Sequence, residues 1–85
     1  MFRKNIVRKY IRFYGQVQAA QHYGVTGWVR NEYDDSVSME IQGTERQIDD
    51  VVSSLERGSY IRIDHMEVKT INVDPDERGF NVKYR

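Results

Sequence analysis

The segment from Gly15 to Asn31, GQVQAAQHYGVTGWVRN, holds the residue types best suited to chemistry on a phosphate. It begins with a glycine at a predicted turn, and backbone N–H groups in glycine-containing loops can surround an anion. It ends with an asparagine, whose neutral carboxamide can accept a hydrogen bond from one water molecule and donate one to it. From the residues alone, however, Asn31 is interpreted as a turn residue that follows a strand.

Other candidate catalytic or metal-binding residues lack a partner at the required spacing. His22 and His65 have no second ligand at metal-site spacing, which predicts two surface histidines and no metal site. The serines carry no nucleophile motif. The acidic pairs are interpreted as helix-surface and turn residues; they are Asp49 with Asp50, and Asp74 with Asp76 and Glu77.

The elements that would position this segment are short strands around one clear helix. Residues 7–17 alternate with period two, which predicts a strand with one face toward a core. Residues 27–31 form a second strand, and a third begins after the turn residues EYDDS. The second and third strands are predicted to form an antiparallel hairpin whose outer face is polar and covered by water. The apolar residues assigned to the inner face of the first and third strands are Val7, Ile11, Phe13, Val17, Val37, Met39 and Ile41.

The clear helix begins after Thr44, and Gln47 completes a capping box three residues later. Gly58 is the predicted stop. One apolar stripe at helical spacing is expected to pack against the inner faces of the strands; it consists of Ile48, Val51, Val52 and Leu55. Two further strands flank a predicted turn at 74–79; their apolar residues are Tyr60, Ile61, Ile63, Met66 and Val68 in one, and Phe80, Val82 and Tyr84 in the other.

Residues 19–24, AAQHYG, have the features of a helix end without a helix beginning. Ala19 and Ala20 favour helix, and Gly24 stands where a C-terminal cap would lie. No N-cap or amphipathic run precedes them. The sequence therefore predicts only the final turns of a first helix.

The composition predicts one small globular domain, residues 1–85. Hydrophobic residues make up 39% and charged residues 31% of the chain, which is not the composition of a disordered protein. The formal net charge is zero, so no overall field attracts nucleic acid or an anionic membrane. The basic residues near the start are interpreted as a solvated tail and strand face.

The chain has no cysteine, which excludes disulfides and thiolate chemistry and fits a reducing cytoplasm. No apolar run reaches the length of a membrane span or a signal-peptide core. We therefore expect a cytoplasmic monomer without nucleic-acid or membrane partners.

Several motifs together resemble the acylphosphatase family along nearly the whole chain. They are YGQVQ, AAQHYGVTGWVRN, SMEIQGTERQIDDVV and FNVKYR. Each piece alone is weak, whereas G-x-V-Q with G-W-V-x-N, followed by Q-G before a capped helix, is specific. The resemblance implies a ferredoxin-like βαββαβ sandwich of class α+β, with two helices on one face of an antiparallel sheet. It also implies hydrolysis of the carboxyl–phosphate bond of small acyl phosphates, without a metal or a cofactor.

The resemblance also implies roles for four residues. Gly15, Val17 and Gln18 match the start of the family's phosphate-binding loop, and Asn31 matches the asparagine that orients the attacking water. An acyl phosphate already has a good leaving group, so catalysis reduces to holding the phosphoryl oxygens and placing water in line. Trp28, in the same motif as Asn31, is interpreted as a packing residue.

The resemblance is interrupted at the junction of Gln18 and Ala19. The family's loop continues as G-V-G-F-R into the first helix, and neither that segment nor its arginine has a counterpart here; Arg12 and Arg30 do not align with it. Only eight residues remain between Gln18 and the next strand, whereas a helical return along a five-residue strand needs about eleven. We expect a truncated or partly missing first helix, and we interpret the junction as an omitted loop rather than a genuine deletion.

Two alternatives from other functional classes stay open at this point. A genuine deletion would leave a catalytically inactive binding or structural domain. An RNA-binding ferredoxin-like module would use strand aromatics beside basic residues, and its candidates here are Tyr10, Phe13 and Tyr14. No segment matches the aromatic RNA-binding signature, and the balanced charge also argues against nucleic acid. Because one fold hosts many functions, the site must separate these possibilities.

Overall fold

The structure, a computed structural model, describes residues 5–14, 24–57 and 66–83. This part of the chain forms one five-stranded sheet with a helix packed on one face. In chain order the elements are β1 (Ile6–Tyr14), β2 (Thr26–Asn31), β3 (Ser36–Thr44), α1 (Glu45–Arg57), β4 (Met66–Ile71) and β5 (Phe80–Lys83). The strand order across the sheet is β4-β1-β3-β2-β5.

The strand directions confirm the predicted ferredoxin-like α+β fold and the predicted hairpin of β2 and β3. β3 is antiparallel to both β1 and β2, and β4 is antiparallel to β1. The sheet is nevertheless mixed, because β5 crosses to the far edge and pairs with β2 in parallel. Since β1 and β2 are both antiparallel to β3, they run parallel to each other. Tyr14 and Asn31, their last residues, therefore lie at the same end of the sheet.

The capping box predicted at the start of α1 is present with both of its hydrogen bonds. The Gln47 backbone N–H donates to the Thr44 hydroxyl at 3.2 Å, and the Thr44 backbone N–H donates to Oε1 of Gln47 at 2.9 Å. Gly43 leaves room for this amide, since a Cβ at that position would lie 2.8 Å from Oε1 of Gln47. Glycine is therefore favoured directly before the capped helix, because a side chain at position 43 would collide with the Gln47 amide.

The core lies between α1 and the inner face of the sheet, and it confirms the predicted packing. Its buried residues are Ile11, Phe13, Val25, Val29, Val37, Met39, Ile41, Ile48 and Val51. Val7, Val52 and Leu55 are partly buried against this cluster. Complete burial of one such side chain contributes about 1.5–3 kcal/mol, so the alternation of β1 and β3 and the stripe of α1 determine which faces meet.

Gly27, the first residue of the G-W-V-R-N motif, is required by the pairing of β2 with β3. Its φ is +146°, and a Cβ there would lie 1.9 Å from the carbonyl oxygen of Glu40. Its backbone N–H also donates to the Gly79 carbonyl at 3.0 Å. A side chain would therefore separate β2 from β3 at the start of the strand that ends in Asn31.

Arg8 contradicts the interpretation of the basic start as a solvated strand face. Its side chain is only 5% exposed. The guanidinium donates two hydrogen bonds to the carboxylate of Glu77, at 2.7 and 2.9 Å, and one to Glu40 at 2.9 Å. The difference arises because the chain between β4 and β5 crosses the outer face of the sheet and brings Glu77 over Arg8.

Gln42 holds the same crossover segment from β3. Its amide nitrogen donates to the Asp74 carbonyl at 2.9 Å, and the Asp74 backbone N–H donates to its amide oxygen at 2.8 Å. The turn predicted at 74–79 is confirmed by a hydrogen bond from the Asp76 backbone N–H to the Asp74 carboxylate at 3.0 Å. An outer face predicted to be covered by water is therefore covered in part by the protein's own chain.

Several predicted features lie outside the described residues. They are Val17, the helix end at 19–23, both histidines, the stop at Gly58, the aromatic and aliphatic residues Tyr60, Ile61 and Ile63, and Tyr84. Gly24, the predicted cap, has the left-handed φ of +83° that such caps adopt. Among the described helical residues, none form a helix long and apolar enough to cross a membrane.

Candidate active site

Asn31 is the last residue of β2 and its side chain is exposed to solvent. Strand alternation places it on the same face as the buried Val29, which is the face covered by α1. In the sheet it pairs with Val37, and Val37 pairs on its other side with Phe13 of β1. Two strand spacings of about 4.8 Å put the backbone of Asn31 about 10 Å from that of Phe13.

β1 ends at the same end of the sheet as β2. Its last residue, Tyr14, pairs with Ser36, and the chain continues directly into the G-x-V-Q motif. Gly15, Val17 and Gln18 lie outside the described residues. The structure thus places Asn31 at the end of the sheet where that motif begins, while its contact with the three loop residues stays a prediction.

The turn that follows Asn31 is closed by hydrogen bonds, as the turn residues EYDDS predict. The Glu32 backbone N–H donates to the Ser36 carbonyl at 2.8 Å. Oδ1 of Asp34 accepts from the Ser36 backbone N–H at 3.1 Å and from the Ser36 hydroxyl. Asp35 adopts a left-handed φ of +66°, which aspartate tolerates better than most residues.

Arg12 connects this turn to β1. Its Nη2 donates to Oδ2 of Asp34 at 2.7 Å. The pKa of Asp34 is lowered, first by the two hydrogen bonds from Ser36 and then by the positive charge of Arg12, and the pKa of Arg12 is raised chiefly by the Asp34 charge. This contact was not predicted from the sequence. Its only signal was the aspartate two residues before a serine, a spacing typical of side-chain-closed turns.

Arg12 and Arg30 both lie on the outer face, opposite Asn31. Arg30 is paired with Glu32 through its Nε. In the sequence neither arginine aligns with the family's phosphate-binding arginine, and their positions on the outer face agree with this. Both guanidinium groups are engaged with carboxylates on the face away from the candidate catalytic residue.

An open groove of about 360 Å³ lies on this outer face. It is lined by Tyr10, Arg12, Arg30, Glu32, Tyr33, Asp34 and Ser38. The aromatic set proposed for RNA binding is divided between the two faces, since Phe13 is only 2% exposed in the core whereas Tyr10 lines the groove. The two arginines of the groove are also paired with carboxylates, Arg12 with Asp34 and Arg30 with Glu32.

Trp28 lies on the outer face of β2 rather than in the core. The Nζ of Lys83 lies 4.4 Å from the centre of its ring, and the guanidinium carbon of Arg30 lies 5.5 Å from it. Both distances are within the range of cation–π attraction. Trp28 therefore packs, as predicted, but it packs against cations and joins β5 to β2.

Within the described residues, no group of three metal-ligating side chains comes together.

The family model for acylphosphatases matches residues 9–82. The chain belongs to the acylphosphatase family. It is similar to the acylphosphatase of Oceanobacillus iheyensis, with 40% identity over 75 residues that cover 86% of this chain and 81% of the relative. It is also similar to the acylphosphatase of Bifidobacterium longum, with 34% identity over 91 residues that cover 93% and 94% of the two chains. The second alignment is longer than this 85-residue chain, so the relative has residues that this family member lacks.

Solved acylphosphatase structures show the same fold. The structure of an acylphosphatase from Coxiella burnetii superimposes with a TM-score of 0.77 at 21% identity, covering 98% of this chain and all of the other. The acylphosphatase of Bacillus subtilis gives a TM-score of 0.75 at 20% identity and covers 92% and 99% of the two chains. This acylphosphatase-family chain therefore has the architecture of these proteins.

Proposed function

We propose that the native protein hydrolyses the carboxyl–phosphate bond of acyl phosphates and that Asn31 orients the attacking water. The observation that supports this most directly is the position of Asn31, exposed at the end of β2 and level with the end of β1. β1 ends at the same end of the sheet, and we expect the loop that follows it to present the phosphate to this carboxamide. The family membership supports the same chemistry.

The reaction needs little from the protein beyond placement. The water oxygen attacks phosphorus, the bond from phosphorus to the acyl oxygen breaks, and the products are a carboxylate and inorganic phosphate. The Asn31 carboxamide accepts one hydrogen bond from the water and so directs a lone pair at phosphorus. Backbone N–H groups at Gly15, Val17 and Gln18 begin the cradle for the phosphoryl oxygens. The family's loop after Gln18, with its arginine, would complete it.

A catalytically inactive domain is the second candidate, and the short connection to β2 favours it. The alignment with the Bifidobacterium longum relative also requires residues that this chain lacks. Without the loop and its arginine, the phosphoryl oxygens would have only the first backbone donors.

The absence of cysteine supports a reducing, cytoplasmic setting for either candidate.

Hydrolysis of benzoyl phosphate, followed by its loss of ultraviolet absorbance, tests the proposal. The assay compares the 85-residue chain with a form that carries the family's G-V-G-F-R segment and the missing start of the first helix after Gln18. We expect the loop-containing form to hydrolyse benzoyl phosphate in the presence of a metal chelator and the 85-residue chain to show little activity. 4-Nitrophenyl phosphate, which lacks an acyl leaving group, is the control substrate and should be left intact.

Each contrary outcome has a definite meaning. A loop-containing form that does not exceed the uncatalysed rate would support the inactive domain and reject hydrolysis. Strong activity of the 85-residue chain would show that the phosphate is held without the family's arginine, and it would overturn this account of the cradle.

A further inference from the structure

We infer that Arg12 and Asp34 are positioning residues for Asn31: together they fix the turn that follows it and thereby the direction of its carboxamide. This inference rests on the role proposed for Asn31 in hydrolysis. Neither side chain is expected to contact substrate, because Arg12 reaches Asp34 across the outer face of the sheet, whereas Asn31 lies on the face covered by α1.

The turn directly after Asn31 is closed by hydrogen bonds. The Glu32 backbone N–H is bonded to the Ser36 carbonyl at 2.8 Å, and Ser36 donates both its backbone N–H and its hydroxyl to Oδ1 of Asp34. The next residue along β3, Val37, is the sheet partner of Asn31. Asn31 is thus held on one side by its sheet pairing with Val37 and on the other by a turn that the Asp34 carboxylate closes.

The Asp34 carboxylate that closes the turn is also attached to another strand. Asp34 uses Oδ1 for the turn and Oδ2 for Arg12, whose Nη2 lies 2.7 Å away. Arg12 belongs to β1, where it pairs with Ser38 and precedes Tyr14 by two residues. The bridge therefore ties the strand that leads toward the phosphate loop to the turn that follows the water-orienting residue.

The energetics separate positioning from ordinary stabilisation. The side chains of Arg12 and Asp34 are 39% and 48% exposed, and ion pairs at such sites add little to folding stability. We therefore expect removal of this pair to affect the direction of the Asn31 carboxamide more than the free energy of unfolding.

Kinetics of Arg12→Gln and Asp34→Asn in the loop-containing form give the first test. We expect kcat for benzoyl phosphate to fall about tenfold in each, with KM changed less than twofold, because a small displacement of a catalytic group costs turnover rather than binding. The double variant should lose no more than either single variant. Lys9→Gln is the matched control: Lys9 lies on the same strand as Arg12, the change breaks its ion pair with Glu45 at the start of α1, and kcat should be unchanged. The inference would be overturned if kcat were unchanged, or if KM rose by as large a factor as kcat fell.

Amide hydrogen exchange in the 85-residue chain gives a second test that needs no activity. We expect the protection of the Glu32 amide to fall about tenfold in both variants and the carboxamide signal of Asn31 to shift, since local opening governs exchange. Both signals should be unchanged in Lys9→Gln. If no form hydrolyses benzoyl phosphate, the proposed function fails while exchange still decides whether Arg12 and Asp34 hold the turn. Unchanged protection of Glu32 in both variants would reject the inference.

Discussion

Arg8 and Arg12 lie four residues apart on the outer face of β1, and both are paired with carboxylates, yet their surroundings differ. The Arg8 side chain is 5% exposed and its main partner, Glu77, is 11% exposed. The Arg12 side chain is 39% exposed and Asp34 is 48% exposed. The crossover segment covers the first pair and leaves the second open to water.

This comparison shows that burial, more than the identity of the ion pair, determines what the pair does. A buried ion pair left with one partner destabilises the fold by several kcal/mol, whereas an exposed pair contributes about 0–1 kcal/mol. We therefore assign the Arg8 cluster (Arg8, Glu40 and Glu77) to stability. The Arg12–Asp34 pair, which lies beside the turn after Asn31, is assigned to positioning.

Replacement of Arg8 should have the largest effect on stability. We expect Arg8→Ala to lower the free energy of unfolding by about 3 kcal/mol, because it leaves Glu77 and Glu40 without their charged partner. Urea denaturation followed by the fluorescence of Trp28 measures this. The double variant Arg8→Met, Glu77→Leu should recover part of the loss, since only Glu40, whose side chain is 26% exposed, then lacks its charged partner. A loss below about 1 kcal/mol for Arg8→Ala would show that the buried Arg8 cluster adds no more to stability than the exposed Arg12–Asp34 pair, which contradicts the comparison.

The pH dependence of stability should come from the same cluster. The pKa of Glu77 is lowered in the folded protein, first by its hydrogen bond from Arg8 and also by one from Thr26. Its contribution is therefore fully present above the unfolded pKa and is lost as the pH falls through the lower folded pKa. We expect Glu77→Gln to be less stable at pH 7 and to show a shallower loss of stability on acidification. Parallel curves for the two proteins between about pH 6 and pH 3 would contradict this.

Replacement of Arg12 should have the smallest effect on stability. We expect Arg12→Gln to change the free energy of unfolding by less than about 1 kcal/mol, because its ion pair with Asp34 is exposed. The same urea titration measures it beside Arg8→Ala. A loss as large as that of Arg8→Ala would make Arg12 a stability residue, and any loss of turnover would then need no positioning role.

The sequence predicted the elements whose signals are local. Alternation along β1 and β3, the stripe of α1 and the pair Thr44–Gln47 are each contained within a few residues, and the structure confirms them. The burial of Arg8 could not be read in this way, because it depends on Glu77, which is 69 residues away. The parallel pairing of β5 with β2 likewise depends on a crossover whose path no local pattern records.

The candidate site was likewise predictable from the sequence only in part. Asn31 was identified through the G-W-V-x-N motif, and the register of three strands then placed it level with the end of β1. The Arg12–Asp34 bridge was missed, since it joins residues that become neighbours only when β3 lies between β1 and β2. Which side chains support a catalytic group is a property of the assembled sheet.

The most direct test of the account is turnover of benzoyl phosphate by Asn31→Ala in the loop-containing form. We expect kcat to fall by at least about a hundredfold, as when a group that acts mainly in the transition state is removed. The free energy of unfolding should change by less than about 1 kcal/mol, because the side chain is exposed. Asn81→Ala, at an exposed position on β5, is the matched control and should keep full activity. Full turnover by Asn31→Ala would contradict the assignment of this residue, and with it the central claim about the site.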